Sequence, residues 1–283
     1  MEWEGLSEEQ IAILVASILG DGEITKCYVY DRRVNNSYRE HFSIGQLSYR
    51  EWKQRKLPNL LYLRGNNLVS RSIPLMTRLF PLFYPNNTKQ IPFELLEDIR
   101  HPSFLLTLYL DDGSLLLSKR FNHKKKEIQF TPHIAFYLQA FSKEQLEKLV
   151  VFLSEHFHVN VRTSGTPSGK GYYLKTTKVI DTFHILDMLK FYLTELPDFA
   201  YKLDWETRLA SEIAHYKISH PDYSVRVSIP ARPYSSEEIA LLIKWKHQEI
   251  TDREIARRLN RTYWSVVYKW QDVKTVKHEL HGF

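Results

Sequence analysis

SILGDGEI at residues 17–24 and LYLDDGSL at residues 108–115 follow one plan: an apolar run reaches Asp-Gly and passes into strand-forming residues. Asp21 and Asp112 stand 91 residues apart (112 − 21), and the same shift lays Ala12, Ala16 and Gly20 over Ser103, Thr107 and Asp111. Steps of four place each trio along one helix face. Small side chains there let a second helix come in at the short end of the roughly 8–10 Å range of interhelical distances. One such trio is a common accident of composition. Two in register, each ahead of an Asp-Gly pair, indicate a duplicated unit.

Working outward, Ser7 with Gln10 forms a capping-box pattern ahead of the run Ile11 to Leu19. The second helix begins near Pro102, and Gly22 and Gly113 read as the helix stops. In the second half, strands over 114–117 and 128–139 flank the basic segment 119–126, which reads as a hairpin loop. Ser142 caps the amphipathic SKEQLEKLVVFLSEHF, strands over 159–162 and 172–177 enclose the loop 164–171, and a helix covers 179–193. The first half runs alike: strands near 24–30 and 39–46, a helix from Ser48, and strands near 61–64 and 68–73. The expected class is α+β, with two pseudo-symmetric αββαββα subdomains over 1–85 and 101–216, joined by a linker at 86–100. A second linker at 217–233, with its three prolines, leads to a small all-α unit over 234–283.

A chain of 283 residues can bury more than one core, and 43% hydrophobic with 25% charged residues excludes a disordered or fibrous protein. No apolar run approaches a membrane span, and MEWEGLSEEQ is acidic, unlike a secretory signal. The single cysteine, Cys27, rules out an internal disulfide and a cysteine-built zinc site. These features predict a soluble protein of a reducing compartment: the cytoplasm, associated with the nucleoid, or an organellar matrix. The net charge of +6 favours a polyanionic partner, a property shared with ribosome-associated and membrane-surface proteins. Cations crowd at Lys119, Arg120, Lys124, Lys125 and Lys126, and again at Lys170, Lys175 and Lys178. A third group, Arg50, Lys53, Arg55 and Lys56, has the ordinary meaning of a solvated face.

LVASILGDG (14–22) and LLTLYLDDG (105–113) resemble the paired signature motifs of LAGLIDADG homing endonucleases, and LYLDDGSL is especially like their intron-encoded, single-chain branch. The resemblance spans residues from about 7 to 210. It implies that the two motif helices pack at a pseudo-twofold axis under a DNA-binding saddle, with Asp21 and Asp112 meeting near the scissile phosphates. Phosphodiester hydrolysis uses a hard divalent cation to activate water and stabilise the leaving oxygen. The implied cofactor is Mg²⁺, with Mn²⁺ able to substitute, because Mg²⁺ needs only one or two carboxylates beside DNA phosphates. Gly20 and Asp111 join the candidate metal-side positions; by register Asp111 replaces Gly20, and it either adds a carboxylate or lies at the helix interface. The resemblance places Gln46 in SIGQLS and Gln139 in YLQAFS near metal-bound water; a strand-end amide facing DNA or solvent is the equal alternative. It gives Lys89 in NTKQIP and Lys202 in FAYKL the role of positioning water or steadying phosphate charge, with plain phosphate contact as the alternative. Lys178 is an outside candidate for the same role.

Two-stranded ribbons fit the major groove and aim alternate side chains at base edges. The candidate readers are Tyr28, Tyr30, Arg32, Arg33, Arg39 and His41 in the first half. In the second they are Lys119, Arg120, His123, Lys125, Gln129, His133, Lys170, Tyr172 and Lys175. Their difference between halves predicts an asymmetric double-stranded target, and the family likeness implies a long site and short 3′ overhangs. Independently, PYSSEEIALLIKWKHQEITDREIARRLNRTYWSVVYKWQ (233–271) resembles a Myb-like or resolvase-like helix-turn-helix. Arg261, Tyr263, Trp264, Ser265 and Lys269 are its candidate DNA contacts. The sequence therefore predicts a monomeric, site-specific DNA endonuclease with intron RNA as a second candidate partner and no membrane association. The alternative is a non-cleaving scaffold, an RNA maturase or a DNA-binding regulator. A basic ribosome-associated protein accounts for the charge but not for the duplicated motif.

Overall fold

The structure, a computed structural model, describes residues 3, 5–28, 30, 32–230 and 232–280, with side chains throughout these save Trp264 and residues 275–280. Two compact units divide the chain, Met1–Ile229 and Pro230–Phe283.

In the first unit the order is α1 (Glu8–Leu19), β1 (Gly22–Thr25), β2 (Ser37–His41), α2 (Leu47–Lys56), β3 (Leu61–Arg64), β4 (Asn67–Ser70) and α3 (Pro74–Phe83). A short α4 (Phe93–Leu96) follows. The order then repeats as α5 (Ser103–Asp112), β5 (Gly113–Asn122), β6 (Glu127–Phe136), α6 (Lys143–Phe157), β7 (Val161–Gly165), β8 (Tyr172–Thr176) and α7 (Val179–Lys190). The unit closes with α8 (Ala200–Leu203), α9 (Trp205–Ser219) and β9 (Ser224–Val227). Each half is thus αββαββα. The sheets run β1-β2-β4-β3 and β5-β6-β8-β7, every pair antiparallel, with β9 added parallel to β6.

The capping box of α1 forms as the sequence predicts, Ser7 Oγ accepting from Gln10 N–H and the Gln10 amide oxygen accepting from Ser7 N–H. Helices α1 and α5 lie against each other, with Ser103 Oγ donating to the Glu9 carbonyl at 3.4 Å and Ala12, Ala16, Ser103 and Thr107 wholly buried. A Cβ on Gly20 would sit 2.7 Å from both Cβ and Oδ2 of Asp111, so the two chain segments press together at the residue before the first catalytic candidate. One continuous apolar core runs through both halves by way of these helices.

Several sequence expectations need correction. Gly113 caps α5 as the sequence indicates, but α1 ends at Leu19 with Gly20 rather than Gly22 as its cap, and neither Gly22 nor Gly113 adopts a left-handed conformation. Both are needed for space instead: a Cβ would meet the Tyr38 ring at 2.5 Å or the Tyr109 ring at 2.3 Å. Half of the basic segment 119–126 is strand, because the β5–β6 ladder continues out to Asn122↔Glu127 and leaves 123–126 to turn. The segment 86–100 does not hang free, since Ile91, Leu96 and Ile99 plug into the core. The segment 217–233 is partly built in, with α9 reaching Ser219 and β9 adding a strand to the second sheet.

The second unit holds α10 (Ser236–His247), α11 (Asp252–Arg258) and α12 (Tyr263–Leu280). Ser235 and Glu238 form the expected capping box, and Thr251 caps α11. Leu242, Ile255, Ala256, Leu259 and Val266 make its separate core, closed by Tyr234, Trp245, Ile250 and Trp270.

Candidate active site

The site lies where the C-terminal ends of α1 and α5 meet. Asp21 is the first residue beyond the α1 cap and Asp112 ends α5; each is followed by a glycine that starts a strand. Asp112 feels the negative charges of both Asp111 and Asp21, so the two candidate carboxylates share one electrostatic environment. Burial, reinforced by Asp111 and then Asp21, pushes the Asp112 carboxyl up to about 7 against the pull of Lys89 and Lys202. Asp21, its side chain 32% exposed, is raised by burial and by Asp111, and Arg50 opposes that shift.

Two lysines sit in corresponding places. Lys89 Nζ donates to the carbonyls of Gly20 (2.9 Å) and Gly22 (3.1 Å), and Lys202 Nζ donates to those of Leu110 (2.7 Å) and Tyr109 (3.5 Å). Each cation therefore closes the carbonyl end of one motif helix, where the helix dipole favours positive charge. Burial lowers both lysine pKa values, while Asp21, Asp111 and Asp112 work the other way. The Gly20 carbonyl, a candidate metal-side oxygen, is engaged by Lys89.

Beneath Asp21 lies a charge cluster that sequence reasoning missed. Arg50, Lys53, Glu40 and Asp111 all have wholly buried side chains. Lys53 Nζ donates to both oxygens of Glu40 (2.9 and 3.1 Å) and both of Asp111 (3.0 Å each). Arg50 bonds Asp21 and Glu40 at 2.7 Å each and lies 3.9 Å from Asp111. Burial works against the Arg50 charge, yet Glu40 and Asp111 more than offset it and raise its pKa. The Tyr49 ring lies 4.8 Å from the Arg50 guanidinium and 4.7 Å from Lys53 Nζ, giving both cations a π face. Arg50 and Lys53 are thus no solvated face, and Asp111 resolves as a helix-interface carboxylate paired across the two halves. Oxygens of Asp21, Glu40 and Asp111 lie within 4.8 Å of one another, but Lys53 and Arg50 already balance Glu40 and Asp111.

The glutamines are less engaged. Gln46 turns back on the Ser43 N–H at 3.4 Å in a one-turn 3-10 helix rather than ending a strand. Gln139 is exposed in the turn after β6.

Strand register sorts the proposed readers by face. On β6, Ile128, Phe130 and Ile134 are buried, with the first two packed under α9, so the open groove face carries Glu127, Gln129, Thr131 and His133. Lys119 pairs with Phe130 and therefore turns to α9, where it meets Glu212 at 3.0 Å and the Tyr216 hydroxyl at 3.2 Å. His123 joins that side, bonded to Tyr223. Tyr172 shares its strand parity with buried Leu174 and Thr176; Tyr173 and Lys175 occupy the groove parity instead. Arg120, opposite Gln129, faces the groove, and Lys125 and Lys170 are exposed on loops. His133 is half-buried, its pKa lowered by burial and by Lys175. Arg162, opposite Lys175, is a further groove-face cation that no sequence pattern singled out. In the first half Arg39 and His41 lie on the open face, with Arg39 paired to Glu23 at 2.8 Å. Tyr28 and Tyr30 are 65% and 99% exposed and Arg32 is exposed, whereas Arg33 ties the β1–β2 loop together through Thr25, Ser37 and Lys26.

In the second unit, Arg261 is a structural cation rather than a free contact. It bonds Glu238 at 2.7 Å, reaches the carbonyls of Arg232 and Pro233, and lies 4.0 Å from the Tyr234 ring centre. Ser265 meets the Tyr234 hydroxyl at 3.2 Å, and Lys269 is 3.9 Å from Asp272. Tyr263 remains 41% exposed, and the Trp264 side chain lies outside the described residues.

The model of the LAGLIDADG DNA endonuclease family matches residues 11–180. The chain belongs to this family. It is a DNA endonuclease. No curated protein matches the chain. Among solved structures, the homing endonuclease I-WcaI bound to its DNA recognition sequence is similar with a TM-score of 0.53 and 21% identity, over 71% of this chain and 88% of that one. The meganuclease I-SmaMI bound to uncleaveable DNA follows at 0.44 and 12%, over 66% and 85%. The LAGLIDADG meganuclease I-AabMI bound to uncleaved DNA stands at 0.46 and 13%, over 76% and 99%. LAGLIDADG nucleases are in general dependent on divalent metal. Among the described residues no helix is long and apolar enough to cross a membrane.

Proposed function

We propose that this chain is a monomeric homing endonuclease that hydrolyses both strands of a long, asymmetric DNA site and leaves short 3′ overhangs. The observation that carries this reading is one carboxylate from each half at adjacent helix ends, each beside a lysine, under two sheets with open polar faces. I-WcaI carries the same fold on its DNA recognition sequence, which supports a duplex as the partner here.

The donor set suits Mg²⁺ or Mn²⁺: it is all oxygen, and burial, then the charges of Asp111 and Asp21, oppose ionisation of Asp112 until a cation is there to balance it. Asp21 and Asp112 would hold the cation, which when bound supplies water activation and neutralises the leaving oxygen. Lys89 and Lys202 fix the ends of the motif helices, so the two carboxylates are held in place before DNA arrives. Arg50 holds Asp21 in one orientation, and buried Asp111 and Glu40 in turn hold Arg50.

The second unit adds a helix-turn-helix contact. Linking it to the nuclease unit raises affinity through effective concentration. The test is selection of cut sites from a randomised DNA library with and without Mg²⁺. A single long, asymmetric cut site recovered only with metal is the expected outcome. Tight duplex binding with no cutting in Mg²⁺ or Mn²⁺ would overturn the nuclease reading in favour of a regulator or maturase.

A further inference from the structure

Strand β9 has no counterpart in the first sheet among the described residues, and it changes what the second sheet presents. β9 runs parallel to β6 beyond the point where β8 leaves it, with Gln129↔Arg226 in register. On the other side of β6, Arg120 is the partner of Gln129. Residues opposite each other share a face, so Arg120, Gln129 and Arg226 form one row across three strands on the groove side. The buried face of the same strands carries Ile128 and Phe130 against α9.

With strands roughly 4.7–4.9 Å apart, the two arginine backbones stand about 10 Å from each other. That width fits a major groove about 12 Å wide. The Arg226 side chain is 66% exposed, its nearest acid, Glu127, being 3.8 Å away. The glutamine between them is held in place: Gln129 Nε2 donates to Ser228 Oγ at 3.0 Å, and the same hydroxyl pairs with Thr131 Oγ1 at 2.9 Å. Ser228 N–H also bonds the Phe130 carbonyl at 2.8 Å, so the anchoring hydroxyl is itself fixed to β6. Arginine matches guanine O6 and N7 and glutamine matches adenine N6 and N7, each in a bidentate manner.

We propose that the row Arg120–Gln129–Arg226 reads base edges in the major groove at the outer end of the second-half site, and that β9 exists to complete it. This rests on the duplex-binding reading above and extends it to a segment that by sequence is a linker.

The experiment repeats the library selection with the full chain carrying Arg226→Ala, beside the parent. The expected result is loss of base preference, by about 5-fold or more, at one or two adjacent outer positions of one half-site, with the rest of the profile unchanged. Arg226→Lys should restore affinity but not that preference, since an ammonium cannot make the bidentate contact. Uniform weakening with an unchanged profile would overturn base reading by Arg226, and an unaltered affinity and profile would remove β9 from the interface altogether. Failure of the parent itself to yield any cut site would count against the nuclease reading instead, so the two claims fail separately.

Discussion

At the scale of single residues, the buried charges under Asp21 make the sharpest demands. Lys53 bridges Glu40 of the first half and Asp111 of the second without access to water. Removing one member of a buried pair leaves the other uncompensated and costs about 3–5 kcal/mol. Asp111→Asn and Lys53→Met should each destabilise by that order in urea unfolding, and the double variant should lose much less than their sum; strict additivity would contradict the pairing. Asp112 makes a second demand. Its folded pKa of about 7 lies above the ordinary 3.8, so between those values the folded chain keeps a proton that the unfolded chain has released. Its contribution to stability is therefore fullest in acid and is lost as pH rises through about 7. Asp112→Asn should raise Tm more at about pH 8 than at about pH 5, by roughly 2–4 °C for each kcal/mol relieved. An equal gain at both would refute the shift. Asp21 and Asp112 were legible in the sequence because a repeat gives position without structure. Arg50, Lys53 and Glu40 were not: a run of cations on a helix reads as solvated, and what buries it is a carboxylate 58 residues beyond Lys53. The trace that was there is the alternation of β2, where Tyr38 and Glu40 share the face opposite Arg39 and His41.

At the scale of elements, the spacing of the small trios pointed to a close helix pair, and the structure shows that closeness where Gly20 meets Asp111. Gly20→Ala should cost about 1–3 kcal/mol or more, because its Cβ would press on an Asp111 that Lys53 holds in place. Strand faces were harder to read. SLLLSKRFN in β5 has no clean alternation, so only its register with β6 tells which of Lys119 and Arg120 points to the open face. Arg120→Ala should weaken duplex binding by about 1–3 kcal/mol and relax base preference at one position of the site, whereas Lys119→Ala should leave both alone. Equal effects from the two variants would contradict the assignment of faces.

At the scale of the whole molecule, the αββαββα repeat and the separate helical unit followed from periodicity, capping signals and prolines. The two joining segments did not, because their packing depends on surfaces that exist only after the halves fold: Ile91, Leu96 and Ile99 fill the core, and β9 meets a ladder already formed. If the second unit serves as a tethered contact, removing residues 230–283 should lower duplex affinity by roughly 10²-fold or more while a saturated target is still cut. Unchanged affinity would deny it that role. The central claim is that one carboxylate from each half is required for cutting DNA. It is tested most directly by following both strands of the selected site, with Mg²⁺, for the parent, Asp21→Asn and Asp112→Asn. The account predicts cleavage of both strands by the parent and a loss on the order of 10²-fold or more in each variant, with duplex binding kept. Either variant cutting both strands at the parent's rate would contradict it.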